Sequence, residues 1–305
     1  MNDDLVLYAE PNDIGIRLDI FISNNREGLS RGFIKKHIDS GNVTVGGKPQ
    51  KAGYKLKSGD IVQIAPYSSV SPDILPENIP LDILYEDDDI IVVNKPKGMV
   101  VHPAAGHYTK TLVNALMYHC RGNLSGINGV LRPGIVHRID MDTSGLIVAA
   151  KNDITHQSLS EQFSGRTVKK IYEALALGVI KEDKFLIDKP IGRSERDRKK
   201  MCITIKNSKE AITNIKVIER LKGSTFIEAE LVTGRTHQIR VHMAHLGHPL
   251  LGDKVYGPEK SKYKVDGQAL FAKSLSFLHP VTEKIMEFEA ERPMYLENLL
   301  KQLRN

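Results

Sequence analysis

From residue 90 onward the chain returns again and again to one local signature, a short run of branched and aliphatic side chains. DDIIVVNKP, SGLIVAAK, IYEALALGVI, TNIKVIERL, STFIEAELVTG and KIMEFEAER are such runs, of the length and composition of strands. Helical spacing is confined to THQSLSEQF and RTHQIRVHMAHLG. A doubly wound sheet needs a helix after each strand, and here the helices come irregularly. The pattern therefore predicts an α+β domain on a mixed or antiparallel sheet with flanking helices and loops. No internal repeat at the roughly 20- to 50-residue periods of solenoids is present.

Ahead of this domain the chain changes character. YSSVSPDILPENIP, residues 67–80, is rich in Pro and Ser, and Tyr67 to Ile90 carries seven acids and no bases. It reads as an extended linker, with a large domain over 81–305 behind it and a small module over 13–66 before it. Within that module IRLDIFISNN sets Leu18, Phe21 and Ile22 at helical spacing. SRGFIKKHIDSG offers Ser30 as N-cap, Phe33, Ile34, His37 and Ile38 as one face, and Gly41 as a stop. NVTVGGKPQ and GDIVQIA then read as strands about a Gly-Gly turn, giving an ααβββ order or close to it. Nine bases against five acids make the module net +4. Arg17, Arg31, Lys35, Lys36, Lys48 and Lys51 fall at helix and turn positions that leave them in solvent, either as a solvated face or as a phosphate-binding one.

The whole chain has 305 residues, with 43 Lys+Arg against 37 Asp+Glu and a net charge of +6. Such a balance favours polyanionic partners without naming one. A second basic segment, Lys189 to Lys209, holds eight bases and two acids. It includes GRSERDRKK, whose Arg193, Arg196, Arg198, Lys199 and Lys200 are dense enough for phosphate contact. Cys120 and Cys202 are the two cysteines and form no CxxC, so a disulfide framework or zinc ribbon is not expected and a reducing cytoplasm fits. Neither a signal peptide nor an apolar run of membrane-spanning length is seen, so no membrane partner is expected. GxxxxGK[ST], GxGxxG and HExxH are missing too, which removes the usual support for phosphate-loop enzymes, dinucleotide oxidoreductases and zincins. The series His237, His242, His245 and His248 matches no standard metal-ligand spacing and reads better as half-buried histidines beside a groove.

One stretch concentrates chemistry: GIVHRIDMDTSG, Gly134 to Gly145. In an extended segment Asp140 and Asp142 would project to one face, as an acid pair of glycosidase type. Alternatively Asp142, Thr143, Ser144 and Gly145 make a turn whose side chains bond local backbone, and Asp140 alone is free. The second reading is preferred.

KPKG (Lys95 to Gly98), HRID with Asp140, KIYEALALG (Lys170 to Gly178) and GRTHQIRVHMAHLGHPLLGDKVYG (Gly234 to Gly257) resemble the successive motifs of the RluA/RluD family of RNA pseudouridine synthases. Residues 13–66 similarly resemble an S4-type RNA-binding domain, so that the two resemblances cover nearly the whole chain. They imply a pseudouridine synthase fold and isomerisation of uridine in RNA, without cofactor or metal. Asp140 then matches the catalytic aspartate, and Asp142 does not. Arg138 matches the arginine that fills the space of the flipped base. Tyr172 matches the aromatic residue that stacks on the base and is implicated in proton removal at C5. Arg240 matches the basic partner of the catalytic carboxylate, and Leu250 or Leu251 an apolar wall. The KPKG turn is implied to shape the cleft.

The chemistry suits these residue types. A carboxylate attacks C1′, or takes the 2′ proton, only while ionised, and a guanidinium favours the ionised form without losing its own charge. A paired uridine must also leave its stack, at a cost of roughly a few kcal/mol. The expected substrate is large-subunit ribosomal RNA, free or in an assembling pre-ribosomal particle. Two rivals stand beside this: a non-catalytic RNA-binding or ribosome-assembly protein, and an RNA N-glycosidase using both aspartates.

Overall fold

The computed structural model describes residues 5–26, 31–65, 74–104, 106–127, 132–197, 200–259, 263 and 265–305, with the side chains of Arg31, Phe33 and Lys36 also outside the description. The chain falls into two compact units, Met1–Ser71 and Pro72–Asn305.

The small unit runs β1 (Leu5–Tyr8), α1 (Leu18–Asn25), α2 (Arg31–Asp39), β2 (Val43–Val45), β3 (Lys48–Pro49) and β4 (Ile61–Ile64). Its antiparallel sheet has the order β1-β4-β2-β3. Leu18, Phe21 and Ile22 of α1 and Ile34 and Ile38 of α2 pack on Val43, Val45 and Val62, the helical faces read from the spacing. The first strand is an addition to the ααβββ order. LVLY is only four residues long and its pattern is weak, half-buried alternating with exposed, too little to stand out by periodicity.

In the large unit the order is β5 (Ile83–Glu86), β6 (Ile90–Lys95), α3 (Leu112–His119), β7 (Ser144–Ala150), α4 (Asp153–Ser164), β8 (Lys169–Leu177) and β9 (Lys184–Asp188). A small three-stranded sheet follows, β10 (Ile191–Arg193), β11 (Met201–Ile203) and β12 (Ser208–Lys209). Then come β13 (Ile212–Leu221), β14 (Ser224–Leu231), α5 (Gln238–His245), β15 (Leu270–Leu278), β16 (Ile285–Glu289) and α6 (Met294–Arg304). The main sheet has the order β5-β6-β7-β15-β8-β14-β13-β9, with β16 on β15. It is mixed through one parallel pair, β15 with β7.

Side chains alternate between the faces, and each face is covered. Ile91 and Val93 of β6 and Ala174 and Ala176 of β8 pack with α3 and α5. Ile90, Val92 and Leu175 pack with α4 and α6. Double covering explains why these strands read as unbroken apolar runs. The central strand β15, LFAKSLSFL, was not among the runs expected from sequence. Its polar Lys273, Ser274 and Ser276 break the apolar pattern, and a bulge opposite Ile171 and Tyr172 breaks the register. Among the described residues no helix is long and apolar enough to cross a membrane.

Candidate active site

β7 and β15 pair only at Ser144 and Gly145. Gly145 sits at φ +114, where a Cβ would come 2.2 Å from the Ala272 carbonyl oxygen, so glycine is required at this crossing. Beyond it the edge of β7 is taken by the HRID segment: Ala150 N donates to Gly134 O at 2.8 Å, Ile135 bridges Ala149, and Val148 N donates to His137 Nε2 at 3.0 Å. His137 therefore carries its ring proton on Nδ1. Burial, with Lys170 nearby, pulls its pKa down to about 3, and its ring stacks on Phe163 at 4.5 Å.

The segment ends in a turn closed by Thr143 N to Asp140 O, 3.0 Å. The expected local side-chain bonds are replaced by long-range ones. Gln268 Nε2 donates to Thr143 Oγ1 at 3.1 Å, and Ser144 Oγ lies 3.1 Å from the Tyr295 hydroxyl. These groups reach other elements because a buried turn brings β15 and α6 within range. Asp142 lies against Gly267, whose φ of +72 leaves no room for a Cβ, while Asp140 lines a cavity of about 470 Å³ and Asp142 does not. The two acids are thus separated.

KPKG holds this turn from behind. Lys95, 1% exposed, donates to Pro96 O, Met99 O and Met141 O at 2.8, 2.8 and 3.1 Å, and Gly98 N adds a bond to Met141 O at 2.9 Å. Burial pulls the Lys95 pKa down to about 7, yet three carbonyl acceptors fit the three protons of the charged ammonium. Lys97 donates to Gln268 O at 2.8 Å and lies over the Tyr295 ring.

The partner of Asp140 arrives on α5. Before that helix Thr233 Oγ1 and Arg235 N both donate to Gln238 Oε1, and His237 takes a left-handed φ of +57, uncommon without glycine. Arg240, 5% exposed, donates Nη1 to Asp140 Oδ2 at 2.9 Å and Nε and Nη2 to Asp253 at 2.7 and 2.8 Å. Burial opposes the Arg240 charge, but Asp253 and Asp140 outweigh it and hold the guanidinium protonated. Burial also works against the Asp253 carboxylate, which Arg240 and the Val255 and Tyr256 amides keep below its ordinary pKa. Met201 N donates to the Tyr256 oxygen, and the hydroxyl is 2.9 Å from His237 Nδ1. With the hydroxyl donating to an unprotonated Nδ1, the imidazole proton sits on Nε2, 3.9 Å from Asp140 Oδ1.

Tyr172 of β8 is 8% exposed and lines the same cavity. Burial, and then the Asp140 charge, push its pKa well above the usual phenol value, so it stands as a neutral phenol. Arg138 lines the cavity and is exposed. Sequence thus named Asp140, Arg138, Tyr172 and Arg240, and the fold brings all four together. Neither leucine expected as an apolar wall is in the cavity lining. Leu250 and Leu251 are both 0% exposed, in the cores on opposite faces of the sheet. HPLLGD runs beside β8, with Leu177 N bonded to Pro249 O and Leu251 N to Leu175 O; Leu251 turns to the core on the far face, and Leu250 packs in the core that also holds the cavity-lining Tyr172, Ile139 and Ile239. The cavity's apolar lining comes from Ile135, Ile139, Leu231, Ile239 and Leu270. His237, one of the histidines expected beside a groove, lines the cavity; Asp253 and Tyr256 lie in GDKVYG without a local signal, because no spacing rule links positions that meet only in the fold.

In the small unit Arg17 is paired with Asp19 at 2.9 Å and Lys35 with Asp39 at 3.4 Å. Lys48 and Lys51 are exposed. The side chains of Arg31 and Lys36, and residues Arg198 and Lys199, lie outside the described residues. Arg193, Arg196 and Lys200 are exposed on the β10–β11 hairpin, which the Met201–Tyr256 bond ties to the site. The histidine series does not converge. His242 bonds Thr213 and Lys189 O, and His248 bonds Leu177 O. Asp87, Asp89 and His279 form a group of metal-ligand type away from the cavity lining. Its atoms are already engaged: Asp87 accepts from Tyr85, His279 and two backbone amides, and Asp89 from Asn152.

Comparison with known proteins matches this arrangement to a family. Residues 89–245 match the RNA pseudouridylate synthase family model, and residues 16–62 match the S4 domain. The chain is 49% identical over 288 residues to a Bacillus subtilis protein named "Uncharacterized RNA pseudouridine synthase YlyB", covering 94% of each. It is 45% identical over 300 residues to "Ribosomal large subunit pseudouridine synthase D" of Zymomonas mobilis, covering 95% of this chain and 94% of that one. Among solved structures, Human RNA Pseudouridylate Synthase Domain Containing 1 superposes with a TM-score of 0.60 at 28% identity, over 75% of this chain and 96% of that one. A buried Arg–Asp pair and a tyrosine around one cavity, on a mixed sheet within that match, place the chain in the RNA pseudouridine synthase family, as an enzyme that isomerises uridine in RNA and carries an S4 domain.

Proposed function

We propose that the cavity beside Asp140 receives a uridine flipped out of large-subunit ribosomal RNA, in the free RNA or an assembling particle. The observation that carries this reading is the Asp140 carboxylate, cavity-facing and bonded at 2.9 Å to a guanidinium that a second, buried carboxylate holds in place. The Zymomonas mobilis relative, named for the ribosomal large subunit, supports the substrate class. In this reading residues 13–66 bind RNA backbone, 67–80 link, and 81–305 catalyse; the exposed bases Lys48 and Lys51, with Arg193, Arg196 and Lys200, contact phosphates.

Asp140 attacks C1′ or removes the 2′ proton. The N1–C1′ electron pair leaves with the base, the uracil turns against the wall of Leu231, Ile239 and Leu270, and C5 bonds to C1′ as the Asp140 ester bond breaks or, on the second route, as Asp140 returns its proton to C2′; the C5 proton then passes to solvent and N1 takes one up. A cavity of about 470 Å³ is of a size for one nucleoside. Arg240 orients the carboxylate, and its fork already bound to Asp253 keeps it from collapsing onto the substrate. Tyr172, a neutral phenol in the free enzyme, is a stacking platform and hydrogen-bond partner, not a standing base. Arg138 occupies the gap left by the flipped base and lowers the unstacking cost.

The test is pseudouridine mapping of RNA from a strain lacking the protein, before and after incubation with it. Wild-type protein is expected to restore sites in large-subunit RNA, and Asp140→Asn to restore none. An unchanged map with wild type, or an equal gain with Asp140→Asn, overturns the reading. Free uracil and abasic sites as products would replace it with N-glycosidase chemistry.

A further inference from the structure

Among the described residues of the large unit five lysines are buried or half-buried, and four have acceptors; Lys151 donates to Glu86 at 3.0 Å and to the Asp87 carbonyl. Lys95 has three carbonyl oxygens, Lys97 has two with an aromatic face, and Lys273 has Glu173 and Glu289 at 3.0 and 3.3 Å. Lys170 differs. It is 6% exposed, and among the described residues no carboxylate or carbonyl accepts from it. Its ammonium lies over the Phe163 ring, with the centroid 5.8 Å away, near the outer limit for a cation over a ring, and near the neutral His137. A lysine is rarely so buried unless paired, because an uncompensated charge is costly there. Burial accordingly lowers its pKa.

Its position says what would compensate it. Lys170 stands two residues before Tyr172 on β8, so both leave the strand on one face, about 6.6 Å apart along it. Both line the catalytic cavity, which continues past Lys170 to Ser160 and Ser164 of α4. Those serines are four apart on the helix and share a face; Ser164 donates to Glu161 O at 3.0 Å, while the Ser160 hydroxyl donates to no group among the described residues. A nucleotide stacked on Tyr172 carries its phosphates one sugar away, a reach comparable to the Tyr172–Lys170 spacing. The charged groups of RNA are its phosphodiesters. We infer that Lys170, with Ser160 beside it, binds the backbone phosphate adjoining the reacting uridine, in an arm of the same cavity. The inference rests on the family's RNA isomerase activity and not on which RNA is modified.

The test uses full-length protein and total RNA from a strain lacking it, with pseudouridine formation followed over a salt series. Lys170→Met is expected to lower kcat/KM about tenfold to a hundredfold, mostly through KM. It is also expected to flatten the log–log salt slope by about 0.7, the value of one single-strand phosphate, with Lys170→Arg restoring most of both. A short RNA around one mapped site, carrying a neutral methylphosphonate on the 5′ or 3′ side of the uridine, supplies an arm that needs no variant. Wild type is expected to lose a similar factor at one of the two linkages, and Lys170→Met to lose nothing further there. Equal losses in both proteins, or none in wild type, overturn the inference. So does inhibition by inorganic phosphate that depends on Lys170 without any methylphosphonate effect, which would assign the arm to a free anion. Modification of an RNA other than the ribosomal one would overturn the substrate reading while leaving this comparison in force on that RNA.

Discussion

Two Arg–Asp forks of the same geometry occur in the two units. Arg17 donates Nε and Nη2 to Asp19 at 3.0 and 2.9 Å, with side chains 51% and 23% exposed. Arg240 donates the same atoms to Asp253 at 2.7 and 2.8 Å, with side chains 6% and 0% exposed. The first is a solvated pair that stabilises little. The second is costly to assemble and costlier to break, since either partner alone would be a buried charge. Burial also frees one further donor for work, because Arg240 is immobilised by Asp253 and can give Nη1 to Asp140 in a fixed direction. One guanidinium serving two carboxylates leaves the site one negative charge in excess, on the carboxylate that faces the cavity.

The comparison breaks hardest at Asp253. Asp253→Asn removes the charge opposite Arg240 and one acceptor of its fork, and is expected to cost about 3–5 kcal/mol in urea unfolding. Turnover is expected to fall with it, because Arg240 no longer has a fixed direction from which to meet Asp140. A loss below about 1 kcal/mol would show that the buried fork is no stronger than its surface counterpart. Lys95 comes next. Lys95→Met leaves the Pro96 and Met99 carbonyls without their ammonium and weakens the hold on Met141, one residue after Asp140. About 2–3 kcal/mol is expected from lost charge-assisted bonds, read in the same unfolding assay. Stability equal to wild type would mean that Gly98 alone fixes the turn.

How far the sequence reaches follows from what each residue's role depends on. The module helices were readable because Leu18, Phe21 and Ile22 state their burial by local spacing alone. The α+β character was readable because β6, β7 and β14 are apolar runs under double cover. β15 was not, since its polar residues and its bulge obey partners supplied by β8, β16 and the Glu173 cluster. At the site, Asp140, Arg138, Tyr172 and Arg240 came from motif resemblance. Asp253 and the bonding role of His237 needed the fold, which closes a sequence separation of 113 from Asp140 to Asp253 into one network. The leucines of HPLLGD show a different limit: apolar character in a motif does not say which of two neighbours faces the cavity side, and in the fold Leu250 and Leu251 enter the cores on opposite faces.

A third, smaller effect depends on pH. Unfolded His137 takes a proton near the ordinary histidine value of about 6.5, whereas the folded one does so only near 3. The unfolded state therefore binds more protons between those limits, and the folded state loses stability as pH falls through that window. The slope from this histidine is at most about 1.4 kcal/mol per pH unit, so at pH 5 the loss reaches about 2 kcal/mol. Protonation also converts Nε2, the acceptor of Val148 N–H, into a donor, which loosens the HRID segment from β7. His137→Gln retains an acceptor and does not titrate. Its urea-unfolding free energy is expected to change less with pH between about 7 and 4 than that of wild type, and parallel slopes would remove His137 from the account.

The smallest effect returns to the surface fork. Arg17→Ala is expected to leave the melting temperature unchanged, because an exposed pair in water exchanges one set of solvated partners for another. Its effect on RNA binding is expected to be slight as well, since Asp19 already offsets the arginine charge. Lys48 and Lys51 are exposed and have no ion-pair partner among the described residues. Their joint replacement by Ala is expected to flatten the salt dependence of RNA binding by about 1.4 in log–log slope, two single-strand phosphates' worth, while Arg17→Ala flattens it far less. Binding titrations over a salt series decide this. An Arg17 effect equal to that of a lysine would mean that Asp19 releases the guanidinium to the RNA, and that a surface fork, unlike the buried one at Arg240, is exchangeable on contact.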